Sequence, residues 1–288
     1  MIRIFLVACV FAAQCAAAEL EHLQTFQWTY NDTAFGGLSG LWVSPDGSRI
    51  ASISDRGHYA EGRIERTDGR ITDIQVDRFE PLPGRDKPTV TGILRDAEGL
   101  AIDSNGRRFV SFEGNPRIWR YDTFTTKPEW THKWDRFWKL QRNSGLEALA
   151  IDADDTIYAI PERSGKWERP FPVYRLKNGA WDDQLRLPRE GKFLVVGADF
   201  GPDGKLYLLE RQFEWIGGFR NRIRRFSMNA TGFDVGETLL ETRVSGYDNL
   251  EGISVWTDSK GDTIVSLVSD DNFSVFQSSQ IVEFKLVP

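Results

Sequence analysis

The feature of the sequence that most constrains the fold is an internal repeat with a period of roughly 50 residues. Each copy begins with a small or acidic residue and Gly or Ala, and continues as a short apolar segment. The chain then turns at Asp, Asn or Gly and returns as a second apolar segment that ends in an acid. Repeats of this length with several strands each are typical of propeller blades. The copies begin at Leu38, Ala97, Leu146, Val196 and Leu250.

The segments within each copy predict antiparallel strands joined by tight turns. The sequences Pro45-Asp46-Gly47 and Pro202-Asp203-Gly204 supply the positive φ that hairpins require. No segment has the pattern of a long amphipathic helix. The cluster Arg220, Arg222, Arg224 and Arg225 lies on an alternating strand, which is typical of a solvent-exposed face.

The two ends of the chain predict how the ring closes. Residues 23–30 have the pattern of a strand but precede the first repeat, and the last repeat has only three visible strands. We therefore expect the N-terminal strand to complete the last blade, which removes open sheet edges. The prediction is an all-β protein with a single propeller domain, residues 19–288, of five blades. A sixth blade is the alternative if the stretch between Asp55 and Asp96 contains a degenerate one.

The first 18 residues have the pattern of a secretory signal peptide. A basic start precedes the apolar run from Ile4 to Ala13, and Ala16-Ala17-Ala18 is a small-residue cleavage site. This predicts an exported protein, periplasmic or secreted. A lipid anchor at Cys9 is the alternative, because Leu6-Val7-Ala8-Cys9 resembles a lipobox.

Composition excludes several kinds of site and partner. Both cysteines, Cys9 and Cys15, lie in the predicted signal, so the mature chain has no disulfide and no cysteine metal site. Three histidines are too few for the usual zinc centres. The net charge of −6 argues against nucleic acid or anionic membrane as a partner. We expect a monomer without a membrane span, acting on a small anionic molecule.

The repeat predicts a ring of acids at one end of the channel. The start of a blade's first strand and the end of its antiparallel second strand lie at the same rim. Two sets of side chains should meet there, one from each kind of position. The first set is Ser39, Glu98, Glu147 and Glu251, and the second is Asp55, Glu113, Glu162, Glu210 and Asp270.

So many carboxylates at one rim need a cation or arginines to neutralise them. Oxygen ligands on a rigid ring suit Ca²⁺. The predicted metal ligands are Glu98, Glu147, Glu251, Asp55 and Asp270, with Asp96 and Asn249 as further oxygen donors. Three arginines directly follow second-set acids: Arg56, Arg163 and Arg211. The alternative is that each Glu caps nearby backbone or pairs with an arginine and has only a structural role.

Other residues could contribute to a site at this rim. His58 follows Asp55 closely and could act as an acid or base. Aromatic residues in the loops could form the wall of a substrate pocket or could pack between blades. They are Trp134, Phe137, Trp138, Trp167, Phe213 and Trp215.

The ordered motifs of the repeat resemble those of the phytase-like family, described as having esterase-like activity of phytase. The resemblance is carried by Gly36-Gly37-Leu38-Ser39-Gly40, Ser54-Asp55-Arg56-Gly57, Asp96-Ala97-Glu98-Gly99, Gly145-Leu146-Glu147-Ala148 and Asn249-Leu250-Glu251-Gly252. A looser similarity is to calcium-dependent lactonase and gluconolactonase propellers. There a Glu-Gly motif at the channel mouth binds the metal, and Glu98, Glu147 and Glu251 would match it. The fourth repeat departs from this pattern because Val196 occupies the corresponding position.

Two hypotheses of different class follow. In the first, the protein is a Ca²⁺-dependent hydrolase of phosphate esters or related esters. Arg56, Arg163 or Arg211 would then bind the anionic group, and Glu113 or Glu162 would accept a proton from water. In the second, it is a non-catalytic propeller that serves as a binding scaffold, because this fold hosts many unrelated functions.

Overall fold

The computed structural model describes residues 18–140, 145–215, 217–229, 232–274 and 277–288, so residues 1–17 of the predicted signal peptide lie outside the described residues. The described chain is almost entirely β-structure, with two single-turn 3₁₀ helices at Gly92–Leu94 and Phe137–Lys139. The strands in chain order are β1 (Glu19–Gln27), β2 (Leu38–Val43), β3 (Arg49–Ser54), β4 (His58–Thr67), β5 (Arg70–Pro81), β6 (Ala97–Ile102), β7 (Arg108–Phe112), β8 (Arg117–Tyr121), β9 (Glu129–Trp130), β10 (Leu146–Ile151), β11 (Ile157–Pro161), β12 (Phe171–Lys177), β13 (Ala180–Leu187), β14 (Leu194–Phe200), β15 (Leu206–Glu214), β16 (Gly218–Phe226), β17 (Met228–Asn229), β18 (Gly232–Phe233), β19 (Glu237–Glu241), β20 (Asn249–Thr257), β21 (Thr263–Asp270) and β22 (Gln280–Val287).

Twenty of these strands form five four-stranded antiparallel blades around a central channel, and β17 and β18 form a separate two-stranded sheet. Blade 1 is β2–β5, blade 2 is β6–β9, blade 3 is β10–β13, blade 4 is β14, β15, β16 and β19, and blade 5 is β20, β21, β22 and β1. The inner strands β2, β6, β10, β14 and β20 contact one another in that order, and β20 contacts β2. The predicted five-bladed propeller is therefore confirmed. The stretch between Asp55 and Asp96 holds β4, β5 and a 3₁₀ turn rather than a sixth blade.

The N-terminal strand closes the ring, as predicted. It pairs with the last strand of the chain, so that Glu19 lies opposite Val287. The fully buried Glu283 of β22 then joins blade 5 to blade 1. Its carboxylate accepts two hydrogen bonds from Arg66, at 2.7 and 2.8 Å, and one each from Gln24 and Ser266. Because all of these donors converge on one charge, the closure is held by side chains as well as by the backbone.

The glycine that follows the inner-strand acid allows neighbouring blades to approach closely. A Cβ atom at Gly99 would lie 2.8 Å from the carbonyl oxygen of Glu147 in blade 3. At Gly252 it would lie 2.8 Å from the carbonyl oxygen of Ser39 in blade 1. The small residue of the repeat is thus required by packing around the axis, where the inner strands crowd together.

The arginine cluster of β16 corrects two sequence-based predictions. Arg222 and Arg224 are buried rather than exposed, and both donate to Glu210, which is itself fully buried, at 2.8 Å. Glu210 lies directly opposite Arg222 in the β15–β16 register, so the sheet itself neutralises its charge. Glu210 therefore does not belong to the ring of acids at the rim, and the cluster is not a solvent-exposed face. Arg225 is also buried and pairs with Glu237.

Candidate active site at the channel mouth

Every inner strand has the same irregularity at the position of the repeated acid. The pairing with the second strand shifts between Leu38 and Gly40, and at the equivalent place in the other four blades. A β-bulge leaves the extra residue unpaired and redirects its side chain. The residues at these bulges are Ser39, Glu98, Glu147, Val196 and Glu251.

These bulge residues all line one narrow part of the channel. The space that they enclose is about 10 Å³, which is close to the minimum for one water molecule. The glutamates of blades 2, 3 and 5 therefore meet around the channel axis, as the repeat predicts. We call this constriction, together with the acids at its outer edge, the acidic mouth: Asp55, Asp96, Glu98, Glu113, Glu147, Glu162, Glu251 and Asp270.

Three acids of blade 2 form the tightest part of the acidic mouth. Carboxylate oxygens of Asp96, Glu98 and Glu113 all lie within 4.8 Å of one another. Two oxygens bound to one Ca²⁺ ion, each at about 2.4 Å, can be up to about 5 Å apart. The spacing of the three side chains is therefore compatible with one shared calcium ion.

A buried oxygen at the same mouth also lacks a partner. Among the described residues, Asp55 Oδ1 is buried and accepts no hydrogen bond. A buried carboxylate oxygen without a donor costs free energy unless a cation compensates it. The donor set of the mouth thus fits a hard cation, which prefers oxygen ligands.

Burial and mutual repulsion raise the pKa values of the mouth carboxyls. Burial raises the pKa of Glu98 well above its ordinary range, and the charges of Asp96, Glu251 and Glu113 raise it further. Burial also raises the pKa of Asp55 to about 6, reinforced by the charge of Asp270. The pKa of Glu113 is raised as well, mainly by burial. The site holds more negative charge than its own cations neutralise, which favours proton or metal binding.

The blade 5 side of the mouth is neutralised internally. Arg211 donates from Nη1 to Glu251 Oε1, and also to Asn249 Oδ1 at 2.6 Å. Asn249 in turn donates to Glu251 at 2.8 Å and to Asp270 at 3.2 Å. Burial still raises the pKa of Glu251 to about 7, against the lowering effect of Arg211. Glu251 and Asp270 are therefore held by protein groups, whereas Glu98 and Glu147 have no arginine partner among the described residues.

The other two predicted arginines are more accessible. The Arg56 side chain is exposed, and its guanidinium lies 3.2 Å from the centre of the Phe273 ring. Arg163 donates from Nε to Glu162 Oε2 at 2.9 Å, and 43% of its side chain remains exposed. Both could meet an anionic ligand at the mouth, whereas Arg211 is already engaged.

The remaining sequence candidates divide between packing and exposure. His58 stacks on Phe79 with ring centres 5.2 Å apart, and burial lowers its pKa. Trp134 and Phe137 pack against each other and against Trp181. The other four aromatic residues are exposed: Trp138, Trp167, Phe213 and Trp215.

From the sequence, Glu113 is predicted to accept a proton, and Asp96 is predicted only as a further oxygen donor to the metal. The structure instead places both with Glu98 in the tightest acid group. The sequence feature that places Asp96 at this rim is its position two residues before Glu98. The feature that places Glu113 there is its position at the end of the second strand, which returns to the same rim.

A five-bladed propeller with an acidic channel mouth defines the class of this protein. Within that class the chain belongs to the phytase-like family, described as esterase-like activity of phytase, because residues 33–273 match the family's sequence model. No curated protein matches the chain.

Solved structures share the fold at low sequence identity. A calcium-binding protein, regucalcin, from Agrobacterium tumefaciens is 11% identical, with a TM-score of 0.50 over 88% of this chain and 92% of that one. An α-L-arabinofuranosidase from Podospora anserina is 9% identical, with a TM-score of 0.53 over 94% and 98%. A gluconolactonase from Xanthomonas campestris is 15% identical, with a TM-score of 0.47 over 94% and 98%.

The described part of the chain contains no helix of the length and apolar character that a bilayer crossing requires.

Proposed function

We propose that this protein is a calcium-dependent hydrolase of phosphate esters or related anionic esters, acting at the acidic mouth. The observation that supports this most strongly is the group of Asp96, Glu98 and Glu113, whose oxygens lie within 4.8 Å of one another. Membership of a family described by an esterase-like activity supports the reaction class.

Asp96, Glu98 and Glu113 would hold the ion, with Glu147 and Asp55 adjoining them. All are oxygen donors on rigid strand ends, which suits Ca²⁺ better than softer metals. When bound, the ion would supply Lewis-acid polarisation of an ester oxygen. Glu251 and Asp270 would instead keep the mouth in shape through Arg211 and Asn249.

Arg56 and Arg163 would bind the anionic part of the substrate. Guanidinium groups form paired hydrogen bonds to phosphate and carboxylate oxygens, and they stabilise charge that develops there. The exposure of both side chains is compatible with this role. The Phe273 ring beneath Arg56 would limit the orientations that the guanidinium can take.

Glu162 would accept the proton from the attacking water. Its Oε2 is bonded to Arg163 at 2.9 Å, which orients the carboxylate and leaves Oε1 for proton transfer. Glu113 is less suited to this role because it belongs to the cation-binding group.

The N-terminal sequence motivates the proposed location, which is outside the cytoplasm after removal of residues 1–18. The proposed partner is a small anionic ester, and the proposed state is a monomer.

The test uses the mature protein, its Glu98→Gln variant and the control Glu21→Gln, which removes an exposed acid on β1. Melting is measured in EDTA and in added Ca²⁺, and turnover is measured with chromogenic phosphomonoester, phosphodiester and acyl ester substrates. Ca²⁺ should raise the melting temperature of the wild type and the control by mass action. Glu98→Gln should lose this response and at least about a hundredfold in kcat.

Two outcomes would contradict the proposal. If the wild type shows neither stabilisation by Ca²⁺ nor turnover, the hydrolase proposal fails and the scaffold hypothesis stands. Turnover that persists unchanged in EDTA and in Glu98→Gln would show that hydrolysis does not require a metal at this site.

A further inference from the structure

The channel widens into a second cavity at the end opposite the acidic mouth. This cavity, which we call the funnel, has a volume of about 850 Å³ and is lined by residues of all five blades. Its size is within the range of small-molecule sites, roughly 300–1,000 Å³. The narrow constriction at the acidic mouth separates it from the proposed hydrolytic site.

One blade places a carboxylate in the wall of the funnel where the others do not. Three residues beyond the bulge, blades 1, 2, 3 and 5 carry Trp42, Ala101, Ala150 and Ser254, whereas blade 4 carries Asp199. The same blade has Val196 in place of the mouth acid. Blade 4 thus lacks a charge at one end of the channel and has one at the other.

Asp199 is half-buried in the wall of the funnel and has no salt-bridge partner among the described residues. It accepts hydrogen bonds from the backbone N–H of Val255 at 2.7 Å and of Phe200 at 2.9 Å. Burial raises the pKa of Asp199 to about 7, and these hydrogen bonds lower it only in part. These bonds orient the carboxylate without neutralising it, so a ligand cation would gain a charge-assisted contact.

The other charges that face the funnel are predominantly negative. Arg108 is paired with Glu61 at 2.7 Å, and Arg49 lies 3.6 Å from Asp77. Asp103 is paired with Arg107 at 2.6 Å, and the remaining acids in the lining are Asp152, Asp154 and Asp155. The funnel therefore attracts cations and disfavours anions such as the substrate proposed for the mouth.

The walls around these acids are aromatic and apolar. Trp42, Phe200 and Met228 all line the funnel. Trp42 is partly exposed and lines the cavity. Such a wall suits the apolar body of a ligand, and an indole also attracts a cation near its face.

We propose that the funnel binds a small organic amine, with its ammonium group at Asp199 and its apolar body against Trp42. The inference does not depend on the proposed hydrolase activity, because it concerns the other end of the channel.

The test titrates the mature protein with benzylamine and with benzyl alcohol, a neutral analogue of similar shape. Titrations are followed by calorimetry and by ligand-observed NMR at pH 8 in EDTA, so that the acidic mouth is not loaded with metal. Benzylamine should bind at least about tenfold more tightly than benzyl alcohol. Asp199→Asn should abolish that preference, and Trp42→Leu should weaken both ligands.

Asp154→Asn is the matched control, because Asp154 is an exposed acid of the same lining. It should change benzylamine affinity by less than about threefold, as expected for a screened surface charge. The comparison of the two ligands on the wild type remains decisive if Asp199→Asn fails to fold. Equal affinity for amine and alcohol, no binding of either at millimolar concentration, or an equal loss in Asp154→Asn would each overturn the proposal.

Discussion

Glu113 and Glu147 reach the acidic mouth from neighbouring blades, where the charge of Glu113 adds to burial in raising the pKa of Glu147. Two carboxyl groups that interact so directly are costly to ionise together, so a proton shared between them would remove one of the two charges. Glu147 is buried and Glu113 is half-buried, and burial raises the pKa of both groups. A cation at this position would take over the neutralising role of the shared proton. Protonation and cation binding therefore compete at the acidic mouth.

The first prediction concerns stability without divalent cations. The pKa of Glu251 is raised from 4.5 to about 7, and that of Asp55 from 3.8 to about 6. The folded state therefore holds protons that the unfolded chain releases, and stability must fall as pH rises through this interval. Denaturant unfolding in EDTA should give a free energy of unfolding lower at pH 8 than at pH 5 by on the order of 1–3 kcal/mol. Equal or greater stability at pH 8 would contradict the assignment of raised pKa values.

The second prediction separates the stability of the mouth from its cation binding. Glu147→Gln removes one of the crowded carboxylates, so the metal-free protein should become more stable at pH 8, by about 1 kcal/mol. The same variant should need about tenfold more Ca²⁺ for half-maximal stabilisation, because an adjoining negative charge is lost. Melting curves over a calcium series measure both effects. Glu21→Gln should show neither, and a variant that loses stability without changing its calcium response would argue for a purely structural Glu147.

The third prediction tests the buried ion group of blade 4. Glu210→Gln removes the buried counter-charge that Arg222 and Arg224 share and leaves them only the exposed Glu190, at 3.6 and 3.9 Å. The expected loss is about 3–5 kcal/mol in the free energy of unfolding, as for other broken buried pairs. Glu129→Gln, which breaks the exposed pair with Arg120, should cost less than about 1 kcal/mol. Stabilisation by Ca²⁺ should be retained in Glu210→Gln. Its loss would mean that Glu210 contributes to cation binding at the acidic mouth.

The fourth prediction concerns the contact between blades 2 and 3. Gly99→Ala places a methyl group 2.8 Å from the Glu147 carbonyl oxygen, too close for an undisturbed backbone. Urea unfolding should show a loss of about 1–3 kcal/mol. Ala148 occupies the equivalent position in blade 3, so Ala148→Gly is the control and should cost about 1 kcal/mol or less. A neutral Gly99→Ala variant would mean that the inner strands can move apart freely.

Much of the fold could be predicted because the same sequence pattern occurs five times along the chain. Strand order, blade count and the role of the N-terminal strand all follow from the spacing of the copies and from the unpaired end segments. The meeting of Glu98, Glu147 and Glu251 follows as well, because equivalent positions of equivalent blades surround one axis.

The direction of single side chains could not be predicted in the same way. In the strand register Glu210 matches Pro161 of blade 3, one residue before the mouth position that Glu162 holds there and Arg211 holds in blade 4. Because side chains alternate along a strand, Glu210 faces the other side of the sheet, where Arg222 and Arg224 donate to it. Asp96 precedes its strand, and its place beside Glu113 depends on the loop that leads into β6. The bulge that redirects the mouth acids leaves no mark in the alternation of polar and apolar residues.

The pairing of β1 with β22 has a consequence for how the molecule is made. The contact between Glu19 and Val287, and the bonds that Glu283 receives from Gln24 and Arg66, join the earliest described part of the chain to the latest. Until β22 has been synthesised, blade 5 lacks its two outer strands and blade 1 lacks the carboxylate of Glu283. Closure of the ring must therefore wait for β22, and a product that ends before this strand leaves unpaired strand edges open to aggregation and proteolysis.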